Sequence, residues 1–300
     1  MQAYLIRGLL LIAAWLPLRL LHGIGYVAGN LLSTLPNRLR AITTRNIRLC
    51  FPELPAMEQR RLVRTSLIET AKTLTETGTL WLRPGNRALQ LIRSVDGREL
   101  VDAALQKGRG VILATPHLGS WEAAGLYGAS SFHMTCLYRP LRLVRLEQLV
   151  RKARSRLGAN YVTTSAAGIR AMYRTLEEGG TVALLPDQEP RPGSGVFAPF
   201  FGIAAWSTVL QARMARRTGA PVVFAWCERL PRGRGYHLHF RDAPPDIDDP
   251  DLEVAASAMN RAVEQLVREC PQQYQWGYRR FKRRPEGERP FYPGRGQGSQ

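Results

Sequence analysis

Val111-Ile112-Leu113-Ala114-Thr115-Pro116-His117-Leu118-Gly119-Ser120-Trp121-Glu122 is the stretch that decides how this chain is read. Its first four residues form a short apolar run between Gly110 and Pro116, the pattern of a buried strand. Ser120 is of a helix-capping type, and a helix is expected from Trp121. The stretch therefore predicts a strand, a tight turn and a helix. His117 falls at the strand's carboxyl end and Glu122 in the helix's first turn. Ligands of α/β sheets bind outside the carboxyl ends of strands, so this turn is the first candidate for chemistry.

Outward from it the alternation continues. Leu141 to Leu157 reads as a basic helix, and Ala166 to Glu178 as another, stopped by Gly179-Gly180 before the strand Thr181 to Leu185. Ser207 is expected to cap a helix running through Arg217, which ends at Gly219-Ala220-Pro221. Val222 to Trp226 is a strand, and Tyr236 to Phe240 alternates polar with apolar. A long helix from about Asp251 to Cys270 stops at Pro271. No internal repeat is visible. Strand-helix alternation over residues 90 to 270 makes the fold class α/β. A catalytic domain is expected over 38–290, with a disordered tail at 291–300.

The N-terminus reads differently. From Gly8 to Asn37 only Arg19 carries a formal charge, and Gly8 to Leu18 is almost unbroken apolar chain. Residues 1–37 are expected to form a hydrophobic membrane-anchoring helix, spanning or lying in the interface. A signal peptide fits less well, because no small-x-small cleavage site follows the apolar core. Arg38, Arg40, Arg45 and Arg48 come after the stretch and only Arg7 before it, which places the main body on the cytoplasmic side.

Across the 300 residues, 42 Lys plus Arg against 24 Asp plus Glu leave a net charge of +18. So basic a surface calls for an anionic partner: nucleic acid, an anionic membrane, or an acidic protein or ligand. No RNA-recognition signature, zinc finger or heptad-bearing basic helix accompanies the charge, which speaks against nucleic acid. Cys50, Cys136, Cys227 and Cys270 are scattered, with neither metal-clip nor disulfide-rich spacing, and are expected to be reduced and buried.

At the central turn, a carboxylate on one imidazole nitrogen would fix the tautomer and leave the other free to take a proton from a hydroxyl. Glu122 is the expected carboxylate. Gly119 would allow the tight turn and leave room for substrate. His117-x4-Glu122 resembles the H-x4-D/E motif of glycerolipid acyltransferases, and the chain resembles the lipid A biosynthesis acyltransferase family over nearly its full length. The likeness rests on the hydrophobic N-terminus, Arg45 to Leu54 (RNIRLCFPEL), Thr115 to Glu122, Tyr138-Arg139-Pro140, Leu185-Pro186-Asp187-Gln188, Gly195-Val196-Phe197 with Phe200-Phe201-Gly202, and Gln275 to Pro285 (QWGYRRFKRRP).

That resemblance implies a mixed central sheet flanked by helices, in the manner of the glycerolipid acyltransferases. It implies transfer of a fatty acyl chain from acyl carrier protein onto a lipid A precursor at the bacterial inner membrane, with no metal or redox cofactor. Direct transfer is expected, since no serine sits in a nucleophile elbow; Cys136 is the alternative, as a covalent acyl carrier. Arg139, at the end of a second predicted strand, is expected to bind a phosphate. Asp187 and Gln188 close a third strand at the same sheet edge and are expected to contact Arg139 or the acceptor. Arg151, Lys152 and Arg154 lie in the basic run 139–156 and are expected to meet acyl carrier protein or the membrane.

Overall fold

The computed structural model describes residues 2–140 and 144–292. The start of the expected basic helix at 141–143, the side chains of Arg142 and Arg145, and the tail 293–300 lie outside the described residues.

Four helices come first: α1 (Gln2–Trp15), α2 (Leu18–Thr34), α3 (Arg38–Cys50) and α4 (Ala56–Leu82). The expected single anchoring helix is therefore two shorter ones. Pro17 has no amide hydrogen and restricts its predecessor, so it stops α1 and starts α2. Among the described residues, no helix is long and apolar enough to cross a membrane. Instead α2 lies along α4, where Gly29 allows near backbone contact: a Cβ there would come 2.3 Å from the Cα of Ile68. The outward faces of α1 and α2 leave Tyr4, Leu9, Ile12, Trp15, Ile24 and Val27 exposed. The α3 helix is capped by Asn37, whose side chain accepts from the amide of Arg40. From α3, Asn46 donates at 2.7 Å to the carbonyls of both Trp276 and Tyr278. Two of the sequence blocks far apart in the chain are thereby tied together.

Then follow α5 (Gly85–Leu89), β1 (Ile92–Asp96), α6 (Arg98–Gln106), β2 (Val111–Ala114), α7 (Trp121–Ser131), β3 (Met134–Tyr138), α8 (Val144–Ser155), β4 (Asn160–Thr163), α9 (Ala166–Glu177) and β5 (Thr181–Leu184). The chain continues with β6 (Gly195–Phe200), β7 (Ile203–Thr208), α10 (Leu210–Thr218), β8 (Val222–Arg229), β9 (Tyr236–Asp242) and α11 (Leu252–Glu269). Seven strands form one sheet in the order β1-β9-β8-β2-β5-β3-β4, and β6 with β7 makes a separate hairpin. Neighbours in the large sheet run parallel except β8 and β9, which are antiparallel. The sheet is mixed, as expected, with β2 near its middle and all four β2 residues buried.

Alternation along the strands divides the core. Ile112, Ala114, Val182, Leu184 and Phe224 face α9, α10 and α11. Leu113, Met134, Cys136, Ala225, Leu238 and Phe240 face α6 and α7. All four cysteines are buried and free.

One sequence expectation fails locally. Ser207 does not cap a helix; it pairs with Val196 inside the β6–β7 hairpin and is buried. Its hydroxyl receives Asn260 at 2.9 Å and Arg280 at 2.7 Å. The helix begins three residues later, at Leu210. A serine before a helical pattern signals a cap only when its backbone is not already committed to a ladder.

Candidate active site

The loop after β2 carries His117, and the loop after the adjacent strand β5 carries Asp187. His117 meets Asp187 twice: its backbone N–H donates to Oδ2 at 3.0 Å, and its Nδ1 lies 2.8 Å from Oδ1. Asp187 is buried. Burial alone would raise its carboxyl, but the imidazole and the amide of His117 hold it below the usual carboxylate range. An ionised Asp187 can only accept, so Nδ1 carries the proton and Nε2 is left as the acceptor. The side-chain amide of Gln188 approaches that Nε2 at 3.1 Å and also donates to Gln275 Oε1 at 3.2 Å. Trp121 sets its ring edge-on to the imidazole, 5.1 Å between centroids.

The carboxylate expected on the imidazole was Glu122, and the structure sends it elsewhere. Trp81 Nε1 donates to Glu122 Oε2 at 2.9 Å, and Arg154 Nε donates to the same oxygen at 3.1 Å. Arg154 Nη2 also pairs with Oε1. Helix geometry explains the difference: Glu122 lies in the first turn of α7 and meets α4 and α8, whereas the imidazole points along the sheet edge towards β5. Arg154 is corrected with it. It is a largely buried partner of Glu122, stacked over Trp81 with 5.6 Å to the ring centroid, and not an outward-facing cation. Arg151 and Lys152 on the same helix are exposed, and Arg139 is exposed just past the end of β3. Asp187 was expected to contact Arg139 or the acceptor; its carboxylate is instead taken up by His117.

Gly119 also has a different reason to be glycine. Its φ is +63°, and a Cβ would fall 2.0 Å from the carbonyl oxygen of Cys227. What its smallness admits is the backbone of β8, not substrate. The turn is held there by Ser120 N–H donating to Cys227 O at 2.7 Å and Gly119 N–H to Gln273 O at 3.0 Å.

Beneath the turn sits a cluster that sequence reasoning missed. Glu76 of α4 receives the Ser120 hydroxyl at 2.8 Å, Arg229 Nε and Nη2 at 2.8 Å each, and His22 Nε2 stands 2.9 Å away. Arg229 Nη2 further reaches Gly119 O at 3.2 Å. Burial would push the Glu76 carboxyl up, but the Arg229 guanidinium and His22 hold it well below the usual carboxylate range. A lone carboxylate in a mixed polar helix reads in sequence as a solvated residue; no local pattern marks Glu76.

From His117 a cavity of about 630 Å³ runs inward between α7 and the sheet. Trp121, Arg139, Gln188 and Arg191 line it with His117; Glu122 and Arg154 form part of its wall; and Leu113, Gly125, Gly128, Met134, Ala183, Ala225, Leu238 and Phe240 supply its apolar lining. Small residues on α7 and on the central strands make the room. The size falls within the range of ligand sites, about 300–1,000 Å³. Such a cavity can hold an apolar chain with its polar head at His117. Cys136 also lines it, but burial pushes that thiol up to about 12, so it stays protonated and is a poor nucleophile.

The family model for bacterial lipid A biosynthesis acyltransferases matches residues 1–283, which takes in the helical N-terminus, the His117 turn and the C-terminal block. This chain belongs to that family. It is similar to the lipid A biosynthesis lauroyltransferase of Escherichia coli K12, 32% identical over 287 residues, 93% of this chain and 91% of the relative. The lipid A biosynthesis palmitoleoyltransferase of the same organism is 28% identical over 288 residues, 95% and 92% of the two chains. Phosphatidylinositol mannoside acyltransferase of Mycobacterium tuberculosis is 31% identical over 173 residues, 56% of this chain and 53% of the relative. As a lipid A acyltransferase family member the protein is an O-acyltransferase of lipid A biosynthesis, and the acceptor class is a lipid A precursor.

Proposed function

We propose that the protein moves a fatty acyl chain from the thioester of acyl carrier protein onto a hydroxyl of a lipid A precursor, with His117 as general base. The observation that carries this is the acceptor Nε2 of His117, held by buried Asp187 on the other ring nitrogen and met by the Gln188 amide, at the mouth of a largely apolar cavity. The acyl chain lies in the cavity and its thioester carbonyl meets the acceptor beside His117. The acceptor hydroxyl gives its proton to Nε2 as its oxygen attacks the carbonyl carbon. Asp187 stabilises the imidazolium that forms. The tetrahedral intermediate collapses with breakage of the C–S bond, and the imidazolium returns its proton to the departing thiolate. The Gln188 amide, displaced from Nε2 by substrate, is placed to donate to the intermediate's oxyanion. Acyl transfer is direct, and Glu122 with Arg154 fixes the α7–α8 wall of the cavity.

Arg139 at the cavity mouth supplies a planar fork for a phosphate of the acceptor, and exposed Arg151 and Lys152 offer a positive face to acyl carrier protein or an anionic leaflet. The apolar outer face of α1 and α2 lies in the interface of the inner membrane without crossing it, with the cavity opening on the cytoplasmic side. The mycobacterial relative favours a second reading of the acceptor, a phosphatidylinositol mannoside, with the same chemistry. One experiment separates them: purified protein is given labelled acyl-carrier donor with either acceptor, and the products are read by mass spectrometry. Transfer to the lipid A precursor alone supports the proposal; transfer to neither ends it. Flotation with anionic vesicles tests the membrane face. Leu9→Ser, Ile12→Ser and Trp15→Ser together should release the protein without unfolding it, because all three side chains are already exposed.

A further inference from the structure

Away from the cavity, on the opposite face of the sheet, the strands at its β1 edge collect an unused group of ligand-type side chains. His237 and His239 alternate on one face of β9, Asp96 ends the neighbouring edge strand β1, and Glu228 stands across from His237 on β8. One ligand atom from each of Asp96, His237 and His239 lies within 4.8 Å of the other two. We infer that these three residues bind a divalent transition cation of the zinc class, a site independent of the acyl-transfer reading.

The contacts within the group are those of ligands without their cation. His237 Nε2 lies 2.9 Å from Asp96 Oδ2, an ion-pair contact that a cation between them would take over. His239 is 7% exposed, and neither of its ring nitrogens has a hydrogen-bond partner among the described residues. Its Nδ1 lies 3.9 Å from the same Asp96 oxygen. A buried imidazole with both nitrogens unpaired is costly unless something else uses them. Two atoms each 2.0–2.1 Å from a tetrahedral cation sit about 3.4 Å apart, so each histidine-to-Asp96 separation needs a shift of only about half an ångström, while the two imidazoles, 3.9 Å between centroids, must spread further to converge on one ion.

The surroundings favour a cation. Trp226 stacks on His239 with centroids 4.5 Å apart at 17°, which holds the ring, and the His237 ring lies 3.9 Å from it, tilted by 38°. Glu228 Oε2 stands 3.5 Å from His239 Nε2, placed as the outer carboxylate that commonly orients a metal-ligating histidine. Arg241 opposes a cation, but its charge is answered by Glu269 at 3.7 Å. Two His and one carboxylate leave a fourth position for water, and exposed Asp96 provides the entry. The bound ion would clip the end of edge strand β1 to β9.

The test uses the full-length protein, stripped by chelator and titrated with Zn²⁺ against a chromophoric competitor, and with Co²⁺ for its visible d–d bands. One Zn²⁺ per chain and tetrahedral Co²⁺ bands are expected. Asp96→Ala and His237→Ala should each weaken Zn²⁺ binding by more than tenfold, and Glu228→Gln by about tenfold. Asp96 is exposed, so its removal leaves the fold intact and keeps the result readable. His117→Ala should bind Zn²⁺ normally, while any Zn²⁺ held by the active site would be lost with it. Absence of stoichiometric binding, or binding unchanged by both Asp96→Ala and His237→Ala, overturns the site.

Discussion

Arg154 of α8 and Glu122 of α7 form a paired-oxygen contact, Nε on Oε2 at 3.1 Å and Nη2 on Oε1, with the Trp81 indole donating to Oε2 from the side. Side-chain exposures of 24% and 13% make this an internal ion pair. Removing one partner strands the other charge, at a cost of about 3–5 kcal/mol when burial is complete and nearer the lower figure here. Glu122→Ala should therefore destabilise by about 3 kcal/mol and lose activity together. Glu122→Leu combined with Arg154→Met should recover part of the stability. Urea unfolding of the three variants checks this. A Glu122→Ala protein as stable as the parent but inactive would mean that Glu122 acts on substrate instead.

Asp187→Asn keeps the shape beside His117 and removes the charge. An amide can turn its donor towards Nδ1, which pulls the proton to Nε2 and disables the base. The expected result is a kcat about 10²–10⁴-fold lower with KM nearly unchanged, and a circular dichroism spectrum like the parent's. His117→Ala should fall at least as far. Steady-state kinetics with each substrate varied in turn make the comparison. An Asp187→Asn enzyme within a fewfold of the parent would remove the dyad.

The contrast between these two carboxylates shows where sequence reasoning stops. The strand Val111–Ala114 and the turn to Trp121 are local patterns, and the structure follows them. Which carboxylate faces the imidazole depends on sheet order: β5 lies beside β2, so a residue seventy positions away arrives at 2.8 Å while the near one turns aside. Asp187 was legible as a residue at the same sheet edge, but not as the partner of His117. Ser207 failed for a related reason, since a hairpin with β6 outweighed its local helix signal. Gly119 was legible as a tight turn, whereas the β8 carbonyl that forbids a side chain there is a tertiary contact. Glu76 and Arg229 are far apart in the chain, and nothing local pairs them.

That buried pair gives the acid limb of stability a definite sign. Glu76 has a folded-state carboxyl held below its ordinary value of 4.5 by Arg229 and His22, against the opposing push of burial. A depressed carboxylate contributes stability that is present above pH 4.5 and lost as the pH falls below it. Glu76→Gln should cost about 3 kcal/mol at pH 7, since it leaves the buried Arg229 with only the partly exposed Glu69, 3.1 Å from its Nη1, as a charge partner. Below pH 4.5 the parent and the variant should converge. Urea midpoints measured from pH 7 to pH 3 provide the test; curves that stay parallel would show that Glu76 does not set the acid limb.

The last prediction concerns the cavity floor along α7. Gly125 lines the cavity, and a Cβ there would find nothing nearer than the Tyr161 hydroxyl oxygen at 3.8 Å. Gly125→Leu therefore adds four carbons to open space, without backbone strain, and gains about 1 kcal/mol of helix propensity. Those carbons occupy room that the acyl chain is proposed to use. Long donors should be rejected by about 10–200-fold in kcat/KM, the range one methylene's misfit commands in an apolar pocket, while shorter donors lose much less. Gly128 offers a control, because a Cβ there meets only the flexible end of Met134, at 2.9 Å from its sulfur. Gly128→Ala should shift that end and change selectivity little. The measurement is competition between two acyl-carrier donors of different length, with product ratios read by mass spectrometry. A Gly125→Leu enzyme that slows equally on both donors would place the acyl chain outside this cavity.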